Sequence, residues 1–322
     1  SCTLKIFSTG LNSQAHYSEH LKYTGVIIES YGDQVKGPFK PVDEQEGRNA
    51  LLTYGTDLLY MGGELGIHGY NHQPLVPPGY QNDEPDYVPW QNEDDMEEAL
   101  TEINRYVHEA FPKYKFRAYV PPSNILSPQG REAILESLPD IRILSSLYDG
   151  SAEEEAYYQE FQREENGVYD IPRITAGYNP TGLDLYFECT VITSIGVFNH
   201  FVHPDELFYE ESKDKTWHMM KEGLQEFLKQ IDSRYGWLTA VTASESLPYF
   251  DSYFNLDYRV LRKPDELEIH CWNYTHEASF LLRSTKEVAS SKDCHVQKIG
   301  DEMYFVKITG PEAHIYWKGS SL

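Results

Sequence analysis

Up to about residue 255, short β-branched runs alternate with longer runs of helical period, and this alternation restricts the possible folds more than any other feature of the chain. "TLKIFS" (3–8) and "YTGVIIES" (23–30) have strand composition and are bounded by Gly and Asn. "EQEGRNALLTYGTDLLYMGG" (44–63) sets apolar residues at helical spacing and stops at two glycines. "ELGIHG" reads as a short strand running into a loop, and residues 76–95, rich in Pro, Asn and Asp, read as an exposed loop. "DDMEEALTEINRYVHEAF" (94–111) predicts a helix with acidic first turns and Pro112 as its stop. "KFRAYVPP" (115–122) predicts a strand, "SPQGREAILESL" (127–138) a helix with Pro in its first turn, and "DIRILSSLY" (140–148) a strand. The acidic run 149–166 reads as a helix or a solvated excursion. "GVFNHFVHP" (196–204), "TWHMMKEGLQEFLKQIDSRY" (216–235) and "WLTAVTASE" (237–245) close the series as strand, helix and strand. The rhythm implies a parallel sheet, open or closed into a barrel.

From residue 256 the helical runs cease. "ELEIHCWNY", "ASFLLRS", "CHVQKIG", "MYFVKIT" and "AHIYWK" are closely spaced strands. The expected organisation is an α/β domain at 1–255 and a small all-β accessory module at 256–322.

Charge narrows the possible partners. Twenty-seven Lys and Arg against 51 Asp and Glu give a net charge of −24, a surface that repels nucleic acid and would hold a polycation. No apolar run approaches the roughly 20 residues of a membrane span. The chain begins at Ser1 with no signal peptide pattern, so the expectation is a longer or processed product, in which an anchor or further domain could precede Ser1. Cys2, Cys189, Cys271 and Cys294 form no CxxC pair; Cys271 and Cys294 share the C-terminal module and could pair.

"GGELGIHGYNHQPL" (62–75) carries the chemistry. His68 and His72 stand four apart at the end of a strand, where parallel α/β folds keep their functional groups, and Gly66 and Gly69 let the backbone turn sharply. Two imidazoles on such a turn suit Zn²⁺ or a similar borderline metal; the alternative is a pair of hydrogen-bonding surface histidines. His16 and His20 share the spacing without that context. In "GVFNHFVHP", strand alternation sends His200 and His203 to opposite faces unless the strand ends between them. Among 25 tyrosines, Tyr70, between the two histidines, is the candidate platform for a sugar ring.

This wording resembles the second motif of the NodB-homology polysaccharide deacetylases, carbohydrate esterase family 4 and its relatives, in which Gly-x-Glu-Ile/Leu-Gly-x-His leads to a second metal-binding His. The likeness continues in order: the acidic helix 94–111, "FRAYVPPSN" (116–124) as the Arg- and Pro-containing motif, and "GVFNHFVHPDE" (196–206) as the strand that delivers a catalytic His. "LQEFLKQIDSRYGWLTAVTASE" (224–245) stands as the closing helix and strand. It covers roughly residues 20–250 and is nearest in flavour to the divergent deacetylases of exported galactosamine-rich polymers, the Pel and galactosaminogalactan type.

The resemblance implies a distorted (β/α) barrel and metal-dependent de-N-acetylation of an acetylated amino-sugar polysaccharide outside the cell or at its surface. His68 and His72 would bind the divalent metal, Zn or alternatively Co or Ni. His203 would be the general acid, with His200 as a supporting partner or a packed core residue. Arg117 would contact substrate, although it stands four residues before Pro121 where the family has two. Tyr178 and Asp184 fall where family loops shape the pocket. The family's first motif, a strand ending in an Asp pair, has no counterpart in "KIFSTGLNSQ", leaving Glu29, Asp33 and Glu64 as candidate carboxylates and the general base unassigned. Two other readings stand beside it: a carbohydrate-binding or scaffolding protein that keeps only the groove, and another barrel metal hydrolase, a peptidase or phosphoesterase. The negative charge disfavours a phosphate substrate, and the H-E-x-x-H order of zinc peptidases is absent.

Overall fold

In the computed structural model, which describes residues 2–8, 22–42, 44–80, 87–148 and 156–319, the first of two units, Ser1–Ser244, is built on a ten-stranded sheet. Its strands are β1 (Cys2–Ser8), β2 (Thr24–Ile27), β3 (Glu64–Ile67), β4 (Ala118–Tyr119), β5 (Ile143–Leu144), β6 (Gln162–Arg163), β7 (Tyr169–Asp170), β8 (Thr175–Ala176), β9 (Phe198–Val202) and β10 (Ala240–Val241). They lie in the order β6-β7-β5-β4-β3-β2-β1-β9-β8, with β10 also on β1. β2, β3, β4, β5 and β7 are parallel neighbours, as are β8 and β9, while β1 is antiparallel to both β2 and β9. The segment from Tyr169 to Gly177 hydrogen-bonds along two edges. Ile171 and Arg173 donate to Leu144 and Ser146 (2.9 and 2.8 Å), and Ile174 and Gly177 donate to Asn199 and Phe201 (2.9 and 2.8 Å).

Parallel strands need crossovers, and the helices supply them while covering the outer face. Helix Glu93–Ala110 is capped by Asn92, whose side chain accepts from the Asp95 amide at 2.8 Å, and opens with Glu93, Asp94 and Asp95 against the positive end of its dipole. Met96, Ala99, Leu100, Ile103 and Val107 recur at three- and four-residue steps and are buried in the main core with Trp90, Leu65, Ile67, Tyr119 and Ile134. Each large apolar side chain removed from water there contributes about 1.5–3 kcal/mol.

Several elements differ from expectation. Residues 181–194 form a helix, Gly182–Ser194, held by a capping box in which Thr181 and Asp184 satisfy each other's backbone amides. The region read as a last strand contributes only Ala240–Val241 and then turns into helix Ala243–Asn255. The described end of the acidic run is not helical: Gln162–Arg163 pairs with Tyr169–Asp170 as a hairpin. The helix after residue 44 contains a π-turn, Leu51–Gly55, between α-helical ends.

The second unit, Glu245–Leu322, carries two antiparallel sheets. Strands β11 (Asp257–Arg262), β12 (Glu266–Trp272), β17 (Glu312–Trp317) and β14 (Val288–Lys292) form one, and β13 (Ala278–Arg283), β16 (Met303–Ile308) and β15 (Cys294–Gly300) the other. In β12, β16 and β17 buried residues alternate with more exposed ones, and Leu267, Ile269, Ile315, Val306 and Ile308 join one core between the sheets. Cys271 and Cys294 are both buried in that core as free thiols, so the open possibility of a disulfide is settled against; Cys294 Sγ donates to the His314 carbonyl at 3.5 Å. Among the described residues no helix is long and apolar enough to cross a membrane.

Candidate metal and catalytic site

The loop after β3 interlaces with the loop after β2. The His68 amide donates to Ile27 O (2.8 Å), Glu29 donates to Tyr70 O (2.7 Å) and Gly32 to Asn71 O (3.3 Å). Asn71 Nδ2 bonds Gln34 O at 2.6 Å, and Gln73 Nε2 bonds Gly32 O at 2.8 Å. The turn is made by two left-handed residues, Gly69 (φ 79°) and His72 (φ 64°). A β-carbon on Gly69 would lie 2.9 Å from Pro122 Cγ, so Gly69→Ala combines left-handed strain with a clash. The expected cost is about 1–2 kcal/mol, read as a fall in the urea midpoint. A histidine held left-handed, with Ser123 (φ 48°) and Asn124 (φ 61°) in the loop after neighbouring β4, concentrates backbone strain at one end of the sheet, as functional loops do.

His68 is buried, and its Nδ1 lies 2.8 Å from the Val120 carbonyl. A carbonyl only accepts, so Nδ1 carries the hydrogen and Nε2 the lone pair, the tautomer and support expected of a metal-binding imidazole. The rings of His68 and His72 are 5.0 Å apart, and Tyr31, an exposed ring that sequence reasoning missed, lies 4.9 Å beyond His72. Two imidazoles on one tetrahedral zinc at about 2.0–2.1 Å per nitrogen bring their ring centres to roughly 5 Å. The pair therefore fits a divalent ion.

The three candidate carboxylates separate clearly. Glu64 opens β3, at the far end of the strand from His68, and is 6 % exposed; it accepts from Thr24 Oγ1 (3.2 Å), the Ser244 amide (2.8 Å) and the Ser244 hydroxyl. That is a structural carboxylate. Glu29 stands at the correct end, but it accepts from the Val42 amide (2.6 Å) and the Ser30 hydroxyl (2.5 Å), one bond to each oxygen. Asp33 is exposed and follows Gly32, whose backbone is bonded to both Asn71 and Gln73 of the histidine loop.

His203 directly follows β9, and its ring packs edge-on against Phe201 at 4.4 Å. Phe201 shares a buried cluster with Val26 of β2 and Val120, the residue whose carbonyl holds His68. The two histidine regions thus flank one apolar plug. Glu206 accepts from the His203 amide at 3.0 Å and lies 3.7 Å from its Nδ1. Burial would raise the Glu206 carboxyl, but the bonds and charge of His203 outweigh it and hold the group below the usual carboxylate range.

His200 faces the helices instead. It is fully buried against Phe198 and Phe227, with Nε2 2.8 Å from Gly177 O and Nδ1 2.7 Å from Thr175 Oγ1, which is 2.5 Å from Glu188 Oε1. Burial pushes His200 down to about 4 and Glu188 well above the carboxylate range. With Nε2–H donating to Gly177, the Thr175 hydroxyl stands between His200 Nδ1 and Glu188 Oε1 and bridges them. Glu188 gave no sequence signal, because nothing near it in the chain is its partner.

Tyr70 is 2 % exposed, with its hydroxyl on Lys40 O (2.8 Å) and its ring edge-on to Phe39, so it offers no open face. Arg117 precedes β4 and bonds Asp140 O at 3.1 Å, at the end of the sheet remote from the histidines. Tyr178 is buried edge-on to Trp217, and Asp184 is the capping residue already described. His16 and His20 lie outside the described residues. One further cluster with metal-ligand chemistry, Glu266, Glu268 and His314, occupies β12 and β17 of the second unit, with the Lys263 ammonium bonded to both carboxylates.

The chain belongs to the DUF2194 family, "Uncharacterised protein conserved in bacteria", which it matches over residues 13–305. No curated protein matches it by sequence. Two solved structures are similar to it. One is wild-type BA3943, a CE4 family pseudoenzyme from Bacillus anthracis, at 14% identity and a TM-score of 0.36, over 63% of this chain and 52% of that one. The other is Agd3, a novel carbohydrate deacetylase, at 13% identity and a TM-score of 0.43, over 91% of this chain and 53% of that one. The chain spans about half the length of each.

Proposed function

We propose that the first unit is a metal-dependent deacetylase of N-acetylhexosamine polysaccharide, acting outside the cell, on a sheet that closes through residues 169–177 into a distorted barrel. The observation that carries this reading is the His68–His72 pair, spaced for one ion and with His68 set in the ligand tautomer by Val120. His68 and His72 would hold the ion, and Asp33, exposed in the loop whose backbone is bonded to the histidine loop, would be left to act as base. Zinc, or cobalt or nickel in its place, would supply Lewis-acid polarisation of the acetamide and activation of water.

The protein's own groups account for the rest. Asp33, on the exposed rim, takes the proton of the attacking water. His203, anchored through Glu206, gives a proton to the departing sugar amine. Tyr31, beside His72, offers the ring face that Tyr70 does not. Acetate and a free amino sugar are the products.

The test is acetate release from an N-acetylated hexosamine polymer with and without Zn²⁺ or Co²⁺. Release is expected to need the metal and to fall at least about a hundredfold in His68→Ala and His72→Ala, and about 10²–10⁴-fold in Asp33→Asn. Metal binding by the wild type without any release would favour the second reading, a polymer-binding protein, which the engagement of both Glu29 oxygens supports.

A further inference from the structure

The second unit holds a cavity of about 400 Å³, lined by His270, Cys271 and Trp272 at the end of β12, Asp293 in the turn before β15, and Gly310 to Glu312 leading into β17. Its size is within the range of small-ligand sites, roughly 300–1,000 Å³. Backbone bonds brace the walls: Cys271 donates to Pro311 O (2.7 Å), and Thr309 donates to Asp293 O (2.9 Å). Trp272 is 54% exposed, a large aromatic face turned to solvent at the rim of the hollow. Asp293 and Glu312 bring two carboxylates to the same hollow. The nitrogens paired with them, Lys292 Nζ at 3.9 Å and His270 Nδ1 at 3.8 Å, stand beyond hydrogen-bonding distance, so neither carboxylate is closed off by a tight pair.

A flat indole with two carboxylates suits a ligand that has both an apolar ring face and a positive charge. We infer that this cavity binds a hexosamine residue through its protonated amine, so that the unit holds the deacetylated polymer rather than the acetylated one. The inference rests on the reading of the chain as acting on amino-sugar polymers, and it names the form of that polymer the second unit selects. An N-acetyl group removes the charge that Asp293 and Glu312 recognise, so selection follows from the chemistry of the two forms. The chain's net charge of −24 adds long-range attraction of the same sign.

The experiment uses the full chain and calorimetric titration at low salt with glucosamine tetramer and, separately, N-acetylglucosamine tetramer. The free-amine oligomer is expected to bind at least about tenfold more tightly, and to weaken as salt is raised. Trp272→Ala is expected to weaken it about fivefold or more, and so is the pair Asp293→Asn with Glu312→Gln. These variants should keep the fold, because Trp272 is half exposed and Asn tolerates the left-handed backbone of Asp293 (φ 55°). A thermal scan of each variant checks that. Equal binding of the two oligomers, no binding of either, or unchanged affinity in the folded variants would overturn the inference. Retained binding in a wild type that releases no acetate from the acetylated polymer would count against the catalytic reading alone.

Discussion

The stability of the first unit is expected to fall as pH rises above 4.5 so far as Glu188 sets it, and to fall as pH drops below 6.5 so far as His200 does. A carboxyl raised on folding contributes stability that is complete below its open-chain value of 4.5 and is lost as pH climbs towards the folded value. An imidazole lowered on folding does the reverse: its contribution is complete above 6.5 and is lost as pH drops towards about 4. Between 4.5 and 6.5 the two contributions therefore change in opposite directions. Above 6.5 the histidine contributes no slope, and what remains is the loss from Glu188 as pH climbs towards its raised folded value. On the acid side the imbalance lasts only from 4.5 to about 4, a small step. Asp184, Glu206 and Arg173 also act on His200, but less than its burial does.

Glu188→Gln separates this cluster from the many surface acids. The amide keeps a hydrogen-bonding group of the same shape against Thr175, so the bridge to His200 survives. The variant is expected to lose the alkaline slope and gain an acid one between 6.5 and about 4, where His200 then titrates alone. Urea midpoints for both proteins at half-unit steps of pH decide it. An alkaline slope that persists in the variant would remove Glu188 as its source.

Trp90→Ala is expected to cost about 3–5 kcal/mol, the largest loss from one substitution here. The indole is fully buried, with its amide on Val76 O (2.9 Å), its Nε1 on Pro74 O (3.0 Å) and its ring 5.8 Å from Phe39. Phe39 in turn packs edge-on to Tyr70. Truncation leaves a void under the loop that carries His72 and strips the Pro74 carbonyl of its donor. Trp90→Phe keeps most of the volume and loses the N–H, so about 1–2 kcal/mol is expected. Equal losses for the two would mean that the hydrogen bond, not the packing, holds the loop.

The helix at Glu93–Ala110 was legible because every local signal agrees: an Asn cap, an acidic first turn, an apolar stripe and a proline stop. The strand–helix rhythm, the closely spaced strands after residue 256 and the sharp turn bearing His68 and His72 were legible for the same reason, since period and glycine placement are local. So was the parting of His200 from His203, which follows from the two-residue repeat of a strand. Helix Gly182–Ser194 was missed because "TVITS" is β-branched and its exposed and buried sides differ little, while helix and strand preferences differ by only tenths of a kcal/mol per residue. The Thr181–Asp184 capping box was the one signal that could have found it.

What the sequence by itself determined is therefore each element whose stabilising contacts lie within a turn or two of chain, together with the chemical kinds of side chain at the turn after β3. The tertiary structure alone decided at which end of the sheet each candidate carboxylate stands. Parallel pairing of β2 with β3 sends Glu29 and Asp33 to the histidine end and Glu64 to the other. It also decided that Glu188 meets His200 through Thr175, that Arg117 turns to Asp140, and that Tyr70 faces the core. These contacts join residues distant in the chain or on different elements, and their partners are chosen by how strands order and helices pack. No local preference, worth tenths of a kcal/mol, encodes that choice; burial and hydrogen bonding, worth several, impose it.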